Sequence, residues 1–298
     1  MSLVLLIGVF FAILVWQHRY HKRQLQKLNQ DLDKLLQQGI PLPIDQYQEG
    51  ELSILANQME KITLRLTEAA DRVQKEKEYL ADSLADISHQ LRTPMTAMNL
   101  AVTMLRSPEL DHHRRLELTA ELRNQLVRMD WLVTTLLKIS KLDAGTISMA
   151  VDAVSVRQLI AKAAEPLAIP MDIRNQQLKV TCVSEHFQGD LGWTTEALSN
   201  ILKNCMEHTP EGGTLSIRAV ETPLFTELQI EDTGEGFSAE DLPHLFDRFY
   251  QGHNANTENF GIGLALARSI ITAQNGTIQA QNGETGARFT IKFYKQVI

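Results

Sequence analysis

Apolar residues recur at every seventh position across residues 80–105, and this spacing constrains the fold more than any other feature of the sequence. Two series run side by side: Leu84, Leu91, Met98 and Leu105, and Leu80, Ile87, Pro94 and Ala101. Such a repeat is typical of helices that pack against each other along an apolar seam. The sequence therefore predicts a long helix in this region that needs partner helices.

A second helix with the same repeat is predicted after a turn at residues 107–113. Its apolar stripe consists of Leu118, Leu122, Leu126, Met129, Leu132, Val133, Leu136 and Ile139. A stripe of this width suits a helical bundle better than a two-stranded coil. Because two helices cannot bury it, we expect a four-helix bundle built by two copies of the chain, which makes a homodimer. Gly145 is expected to end the second helix.

The apolar period changes after Gly145. Six segments have the pattern of strands: ISMAV (147–151), QLKVTCV (177–183), GTLSIRAV (213–220), FTELQIED (225–232), GTIQAQN (276–282) and ARFTIKF (287–293). Three segments have the pattern of helices: SVRQLIAKAAEPL (155–167), WTTEALSNILKNCMEH (193–208) and GLALARSIITAQN (263–275). Ser155 and Gln158 form a capping box at the start of the first. This mixture predicts an α/β sandwich with one sheet and one helical layer.

The N-terminus contains an uninterrupted apolar run from Leu3 to Trp16, followed by a basic cluster from His18 to Arg23. Trp16 and the basic flank favour a single-pass membrane helix over residues 1–17, with the rest of the chain on the cytoplasmic side of the inner membrane. The run is shorter than the ~20 residues that a spanning helix usually needs. A signal peptide is one alternative, and a start codon placed too late is another.

Residues 18–72 are polar, with a helical pattern that is broken once at GIPLP, from Gly39 to Pro43. Gly followed by Pro is a stop-and-turn signal. Helix, Pro-containing connector and helix resemble a HAMP-type signal-transmitting linker, and an ordinary helical hairpin is the alternative. The net charge of −7 argues against direct binding to nucleic acid. The two cysteines, Cys182 and Cys205, indicate core thiols rather than a disulfide framework.

His89 stands on a polar position of the first heptad helix. With Leu84 at position a, His89 falls at position f on the outward face. Pro94 lies inside the same helix, where it removes a backbone hydrogen bond. A neutral imidazole exposed on a helix is a competent nucleophile near neutral pH. An ordinary solvated histidine is the alternative interpretation.

One helix of the second half carries polar residues suited to phosphate and metal. In LSNILKNCMEHT, Asn200, Asn204, Glu207 and His208 share the face opposite the apolar residues. Asn200 and Asn204 are one turn apart, so their amides stack on the same face. An amide oxygen can bind Mg2+ and an amide NH2 can donate to phosphate. An Asn pair that simply faces solvent is the alternative.

Two glycine-rich motifs have the composition of a nucleotide site. In EDTGEGF, Asp232 ends a strand and precedes Gly234 and Gly236, so a carboxylate lies beside a bare backbone that a base can approach. In GIGLAL, Gly261 and Gly263 open a helix whose first N–H groups favour phosphate. FDRFY (246–250) and a polar stretch (251–260) lie between the two motifs, and the stretch has the composition of a mobile lid.

The order and spacing of these motifs are far more specific than any one of them. SHQLRTP, NILKNCMEHT, DTGEG, FDRFY and GIGLAL resemble the H, N, G1, F and G2 boxes of the sensor histidine kinases of two-component systems. The resemblance covers Val73 to Phe293. It implies a dimerisation and histidine-phosphotransfer domain at 73–145 and a Bergerat-type ATPase domain at 146–298. It also implies ATP and Mg2+ as cofactors and a response regulator as the partner that accepts the phosphoryl group on an Asp.

The resemblance further implies roles for individual residues. His89 would be the phosphoacceptor, Thr93 would orient water for dephosphorylating the regulator, and Asn204 would bind Mg2+. The nucleotide-binding positions implied are Asn200, Asn204, His208, Asp232, Gly234, Gly236, Phe249, Gly261, Gly263 and Leu264.

Two residues depart from the family pattern. Gln90 follows His89 where the family usually has an acid, and a Gln cannot act as a base. Asp86 is a possible substitute, and Glu207 stands where a Lys is frequent. These departures keep open a phosphatase-dominant or weakly catalytic signalling scaffold. A Bergerat-type hydrolytic ATPase is the other alternative, but it would carry a Glu where this chain has Asn200.

Overall fold

The computed structural model describes residues 7–20, 22–23, 26, 30, 51–108, 110–183, 186–252 and 260–295. The chain divides into two compact units, Met1–Asp82 and Ser83–Ile298. The GIPLP break lies outside the described residues, so the HAMP-type linker at 18–72 stays a prediction. The boundaries predicted at residues 73, 145 and 146 likewise stay predictions.

Residues 7–20 form helix α1, and their side chains are exposed, including those of Phe10, Phe11 and Trp16. In the part of the chain that the structure describes, no helix combines the length and the apolar character needed to cross a membrane. Residues 1–6 of the membrane helix predicted at 1–17 lie outside the described residues. The membrane helix therefore remains a prediction.

The two heptad segments are helical, as predicted. Helix α2 runs over Glu51–Leu105 and helix α3 over His112–Asp143. Gly145 follows α3 with a φ of 61°, in the left-handed region. Its N–H donates to the Leu142 carbonyl at 3.0 Å, and the Thr146 N–H donates to the Lys141 carbonyl at 3.1 Å. This pair of bonds is a Schellman motif, which confirms Gly145 as the residue that ends the helix.

Within one chain the two helices bury only part of their apolar stripes. The buried apolar positions in the described bundle helices are Pro94, Ala101, Leu118, Leu132, Ile139 and Leu142, and Thr135 is buried beside them. Three apolar residues of the predicted stripes stay exposed, Leu84, Leu126 and Val133, and so do Met95 and Val102, which lie next to the stripe of α2. A single copy therefore leaves an apolar face uncovered along both helices.

The C-terminal part is an α/β domain, as predicted. Its helices are α4 (Val156–Ala164), α5 (Ala168–Ile173), α6 (Leu191–His208) and α7 (Gly263–Ala273). Its strands are β1 (Asp152–Ser155), β2 (Gln177–Cys182), β3 (His186–Gly189), β4 (Thr214–Glu221), β5 (Phe225–Glu231), β6 (Gly276–Asn282) and β7 (Ala287–Tyr294). Five of them form one sheet in the order β2-β4-β5-β7-β6, in which only the β2–β4 pair is parallel.

The alternation of buried and partly exposed residues along the central strands explains why helices cover one face of the sheet. Strands β4, β5 and β7 bury every second residue, which is the pattern of a sheet covered on one face. Apolar residues of α4, α6 and α7 pack against that face in one core cluster, with Phe289 and Ile217 among its fully buried members. The polar face of α6 is thereby left outside the core.

The strand predicted at ISMAV is wrong. Residues 147–151 are not in a strand, and the first strand is β1, which pairs antiparallel with β3. Ile147 and Met149 do pack on the core, so the alternation in the sequence is real. The segment lacks a neighbouring strand to complete a ladder, and alternation by itself cannot supply one.

Strand β3 and helix α5 were not predicted. Phe187 is the one apolar residue in β3, and α5 contains Pro170, so neither has a strong sequence pattern. The start of α4 agrees with the prediction, because Ser155 Oγ accepts from the Gln158 N–H at 3.5 Å.

Helix α3 packs on the α/β domain within the second unit. Its last turns contribute Ile139 and Leu142 to the main core cluster. Lys138 Nζ lies 2.5 Å from Glu196 Oε1 on α6. Trp131 stacks on Phe260, with ring centroids 6.2 Å apart. The bundle and the α/β domain therefore share both apolar and charged contacts.

Candidate functional site

His89 is exposed on α2, in agreement with its predicted outward position. Thr93, four residues later on the same face, is also exposed, whereas Gln90 is half-buried. Pro94 is buried inside the continuous helix and has no N–H, so the Gln90 carbonyl loses its intrahelical donor. Among the described residues, nothing hydrogen-bonds to the His89 ring. An imidazole that is free on a helix surface is accessible to an incoming phosphoryl group.

Helix α6 holds the polar face that the sequence predicted. Asn200 and Asn204 are half-buried and His208 is exposed, while Ile201 and Cys205 are fully buried on the opposite side. Asn200 Nδ2 donates to the Glu196 carbonyl at 2.8 Å, which directs its amide oxygen away from the helix axis. The two Asn side chains thus offer amide oxygens on one face, a donor type that suits Mg2+.

Asp232 is the buried acid of the α/β domain, with only 2% of its surface exposed. Its Oδ1 accepts from the Gly234 N–H at 2.9 Å and from the Ala287 N–H at 3.0 Å. Two backbone donors on one oxygen fix the orientation of the carboxylate. The other carboxylate oxygen keeps acceptor capacity for a ligand donor.

The thiol of Cys205 lies beside Asp232. Burial, and then the charge of the neighbouring Asp232 carboxylate together with a hydrogen bond to it, raise the pKa of Cys205 well above its ordinary value. The thiol, which lies under the Asp232 side chain, therefore stays protonated. Its hydrogen bond to Asp232 also shows that α6 and the Asp232 turn are in direct contact.

The glycines of this turn permit a close approach of backbones. A Cβ at Gly234 would lie 2.5 Å from the His208 carbonyl oxygen, at the end of α6. Gly236 has a φ of 75°, and a Cβ there would lie 2.7 Å from Asn282 Oδ1. A larger residue at either position would push the turn away from its neighbours.

Gly286 belongs to the same site and was missed in the sequence. A Cβ at Gly286 would lie 2.5 Å from the Asp232 carbonyl oxygen and 2.7 Å from the Gly234 nitrogen. The only signal was the glycine pair of NGETGARF between β6 and β7, which reads as a hairpin turn. Its packing on the Asp232 turn depends on the pairing of β5 with β7.

The second glycine motif is close to the Asn pair in space. Gly263 opens α7, and a Cβ there would lie 2.9 Å from Asn200 Oδ1. Gly261 has a φ of 68°, and a Cβ there would lie 2.4 Å from the Tyr250 carbonyl oxygen. Leu264 packs on the core cluster. The N-terminus of α7, with its free N–H groups, is thereby set against the polar face of α6.

Phe249 is held in a strained backbone conformation, with a φ of 63°. It packs with Leu91, Leu132, Phe260 and Ile262 in a small apolar cluster between the bundle and the α/β domain. Residues 253–259 of the predicted lid lie outside the described residues. Phe260, the described C-terminal end of this stretch, therefore lies against α3 of the same chain.

The arrangement fits a bound nucleotide with a divalent cation. It combines amide oxygens on α6, a buried carboxylate fixed by backbone donors, the open N-terminus of α7 and glycine backbones that a Cβ would obstruct. Such a set can hold a base amine at one end and phosphates at the other. Among the described residues, no group of three or more His, Cys, Asp or Glu is gathered for a metal.

Two family models match the chain. The "His Kinase A (phospho-acceptor) domain" matches residues 79–145, and the "Histidine kinase-, DNA gyrase B-, and HSP90-like ATPase" matches residues 189–297. The first contains His89, and the second contains both Asn residues, Asp232 and the Gly261–Gly263 motif. The chain belongs to the sensor histidine kinases.

Curated relatives and solved structures agree with this family. The chain is 25% identical over 281 residues to the sensor histidine kinase YclK of Bacillus subtilis (strain 168), covering 92% of this chain and 59% of YclK. It thus spans about three-fifths of the length of that relative. The Acinetobacter baumannii histidine kinase AdeS has the same fold, with a TM-score of 0.60 and 24% identity over 70% of this chain and 98% of that chain.

A third comparison covers both the bundle and the α/β domain. Histidine kinase ThkA, solved in complex with response regulator protein TrrA, has a TM-score of 0.62 with 18% identity over 75% of this chain and 64% of that chain. At this identity the likeness shows a shared fold.

Proposed function

We propose that this sensor histidine kinase autophosphorylates His89 from Mg-ATP and passes the phosphoryl group to an Asp of a response regulator. The observation that carries the proposal is the close approach of Gly263 to Asn200, which joins the N-terminus of α7 to the polar face of α6. Asp232 lies near the C-terminal end of α6, beside Cys205 and next to the turn in which Gly234 approaches the His208 carbonyl. One site is thereby able to accept both ends of a nucleotide.

In the proposed complex, Asp232 accepts a hydrogen bond from the exocyclic amine of adenine. Its Oδ1 already accepts from two backbone N–H groups, so the carboxylate is fixed before the base arrives. Asn204 would bind Mg2+ and Asn200 would lie beside the phosphates, with the first N–H groups of α7 directed at them. The bound Mg2+ offsets the negative charge of the phosphates.

The proposed transfer is an in-line displacement at the γ-phosphorus. A neutral ring nitrogen of His89 forms the new N–P bond while the bond from phosphorus to the β–γ bridging oxygen breaks. ADP leaves with the electron pair of that bond, and the ring proton goes to a base or to water. The exposed position of His89 allows the required approach. In a second step the phosphoryl group moves from this nitrogen to a carboxylate oxygen of the regulator.

The test is incubation of the full chain with γ-labelled ATP and Mg2+, followed by acid treatment. We expect an acid-labile label on the wild type and none on His89→Ala. His113→Ala is the matched control, because His113 is also exposed on the bundle. Label that survives in His89→Ala would overturn the assignment of the acceptor.

Gln90 favours a second candidate, a phosphatase-dominant scaffold of the same family. It lies half-buried beside His89, where it can accept a hydrogen bond but cannot take up a proton at neutral pH. Thr93 on the His89 face would then orient the attacking water. Loss of phosphate from a phosphorylated regulator, which Thr93→Ala abolishes, without any label on His89 would favour this candidate.

A hydrolytic ATPase is the weaker alternative. Asn200 occupies the position one turn before Asn204, and its Nδ2 donates to the Glu196 carbonyl. The Glu196 carboxylate itself is engaged by Lys138 of the bundle. Neither group is a carboxylate free to activate water. ATP turnover that persists in His89→Ala would revive this alternative.

We also propose that residues 1–17 anchor the protein in the inner membrane, with the catalytic part in the cytoplasm. The exposed Phe10, Phe11 and Trp16 on α1 and the basic residues that follow support this proposal. Membrane fractionation after alkaline extraction tests it. The full chain should stay with the membrane and a variant that lacks residues 1–17 should be released; release of the full chain would contradict the anchor.

A further inference from the structure

The C-terminal end of α6 requires hydrogen-bond donors from outside the helix. The last carbonyls of any α-helix lack an intrahelical partner, and here they belong to the turn that ends at His208. The His208 carbonyl faces the Asp232 turn, because a Cβ at Gly234 would lie 2.5 Å from it. The position of this end therefore determines how α6 and the Asp232 turn meet.

The side-chain NH2 of Gln176 lies within hydrogen-bond distance of one carbonyl in the last turn of α6 and of two carbonyls just after it. Its Nε2 lies 2.7 Å from the Thr209 oxygen, 3.0 Å from the Met206 oxygen and 3.4 Å from the Pro210 oxygen. The side chain is 8% exposed, and its Oε1 is buried with no hydrogen-bond partner among the described residues. An amide rotated by 180° would place an oxygen against three carbonyl oxygens. The donor role of Gln176 thus outweighs the cost of an unpaired acceptor.

Arg174 completes the contact from the same segment. Its Nη1 donates to the Met206 oxygen at 3.2 Å and to the Glu207 oxygen at 3.4 Å. The backbone adds to this, since the Gly212 N–H donates to the Arg174 carbonyl at 2.9 Å. The residues just before β2 therefore hold the end of α6 in place through hydrogen bonds from their side chains and their main chain.

We infer that Arg174 and Gln176, here called the α6 latch, are positioning residues for nucleotide binding. In the proposed function, neither residue contacts ATP. They fix the position of the last turn of α6, which contains His208 and follows Asn204. This position keeps the His208 carbonyl close to Gly234 and so keeps the Asp232 turn in contact with α6. Loss of the latch lets this end move and separates the base-binding carboxylate from the Asn204 side of the site. The inference rests on the proposed function, because it concerns the same nucleotide site.

The test compares Gln176→Met with Gln177→Met in the full chain with Mg2+. Met keeps the length of the side chain and removes both donors, and the adjacent Gln177 is exposed and serves as the matched control. We expect Gln176→Met to raise the dissociation constant of ATP roughly tenfold, as the loss of about one net hydrogen bond would. Gln177→Met should bind ATP as the wild type does, and kcat of Gln176→Met at saturating ATP should stay within about twofold of wild type, because the latch touches no reacting atom.

Gln176→Glu adds a second measurement, the pH dependence of ATP affinity, which would not change if Gln176 had only a structural role. A carboxylate directed at carbonyl oxygens binds a proton more readily than usual, and the protonated form regains a donor. The ATP affinity of this variant should therefore recover as the pH is lowered, relative to Gln177→Glu. If Gln176→Met does not fold, Arg174→Met gives the same comparison from the second latch residue.

The outcomes separate the two proposals. ATP affinity that is unchanged in folded latch variants overturns the latch alone. A lower melting temperature with unchanged ATP affinity also overturns it, since that result describes a stability role only. If the wild-type chain binds no ATP, the proposed function is overturned and the latch falls with it.

Discussion

The bundle and the α/β domain solve the problem of burying apolar surface in opposite ways. The α/β domain encloses Phe289, Ile217 and their neighbours completely within one chain. The bundle leaves Leu126 and Val133 of α3 and Met95 and Val102 of α2 exposed, each pair one heptad apart. One copy is therefore enough to assemble the proposed nucleotide site, whereas the exposed apolar face of the helices around His89 is consistent with the predicted second copy completing their core.

The two regions also place their reactive groups differently. His89 is exposed on a helix surface, where a partner protein can reach it. Asp232 is buried and held by two backbone N–H groups, where water is excluded and hydrogen bonds are strong. These positions suit the proposed roles, in which His89 reacts with more than one partner and Asp232 recognises one ligand.

The largest effect is expected from charging the uncovered face of the bundle. Glu at both Leu126 and Val133 should weaken the homodimer roughly 1,000-fold or more, because unpaired charges would be buried in an apolar interface. Light scattering over a dilution series measures it. Leu116→Glu is the control: Leu116 is 59% exposed and Leu126 is 60%, but Leu116 shares its heptad position with polar Arg123 and Asp130. Equal effects of the two changes would contradict a dimer interface on the face of α3 that contains Leu126 and Val133.

Asp232→Asn tests the role of the buried carboxylate in the α/β domain. The amide oxygen can keep the hydrogen bonds from Gly234 and Ala287, but an NH2 replaces the second carboxylate oxygen. We expect ATP affinity to fall about 100-fold, because two donors would face each other at the base. Titration with ATP measures the affinity, and thermal unfolding checks that the variant is folded. Affinity within threefold of wild type would exclude Asp232 as the residue that recognises the base.

A smaller effect, on the rate of autophosphorylation, is expected from Gln90→Glu beside the exposed His89. A Glu beside His89 can take up the ring proton, so autophosphorylation should become about tenfold faster. The initial rate of labelling by γ-labelled ATP measures this. Gln125→Glu, at another half-buried Gln of the bundle, adds the same charge away from His89. An unchanged rate in Gln90→Glu would mean that another group, or water, already takes the proton.

A pH-dependent change in the stability of the fold is expected from Cys205, beneath Asp232. Its pKa is raised by burial and by the Asp232 charge, so the folded thiol stays protonated where the unfolded thiol ionises. Its contribution to stability is therefore complete below the unfolded pKa of about 8.5 and is lost as the pH rises, by up to about 1.4 kcal/mol per pH unit. Urea unfolding of wild type and Cys205→Ala at pH 8 to 10 compares the slopes, with Cys182→Ala as control. Parallel pH profiles for wild type and Cys205→Ala would contradict the raised pKa of the Cys205 thiol.

The sequence predicted the helices of the bundle because their apolar repeat is long and local. Gly145 was identified as the end of α3 for the same reason, since its left-handed conformation depends on a few neighbouring residues. The face of α6 with Asn200 and Asn204 also followed from helical spacing. The strand at ISMAV was wrong because Ile147 and Met149 alternate without a neighbouring strand, and a neighbour is a property of the whole sheet.

Residues a few positions apart were enough to predict where the helices lie, that His89 faces outward and that Asp232 is followed by glycines. Contacts between distant residues became visible only in the folded chain. The tertiary structure brought Gly286 onto the Asp232 turn and Gly263 onto Asn200, and it set Gln176 against the end of α6. These contacts join segments far apart in the chain, and only the pairing of strands and the packing of helices on them fix such distances.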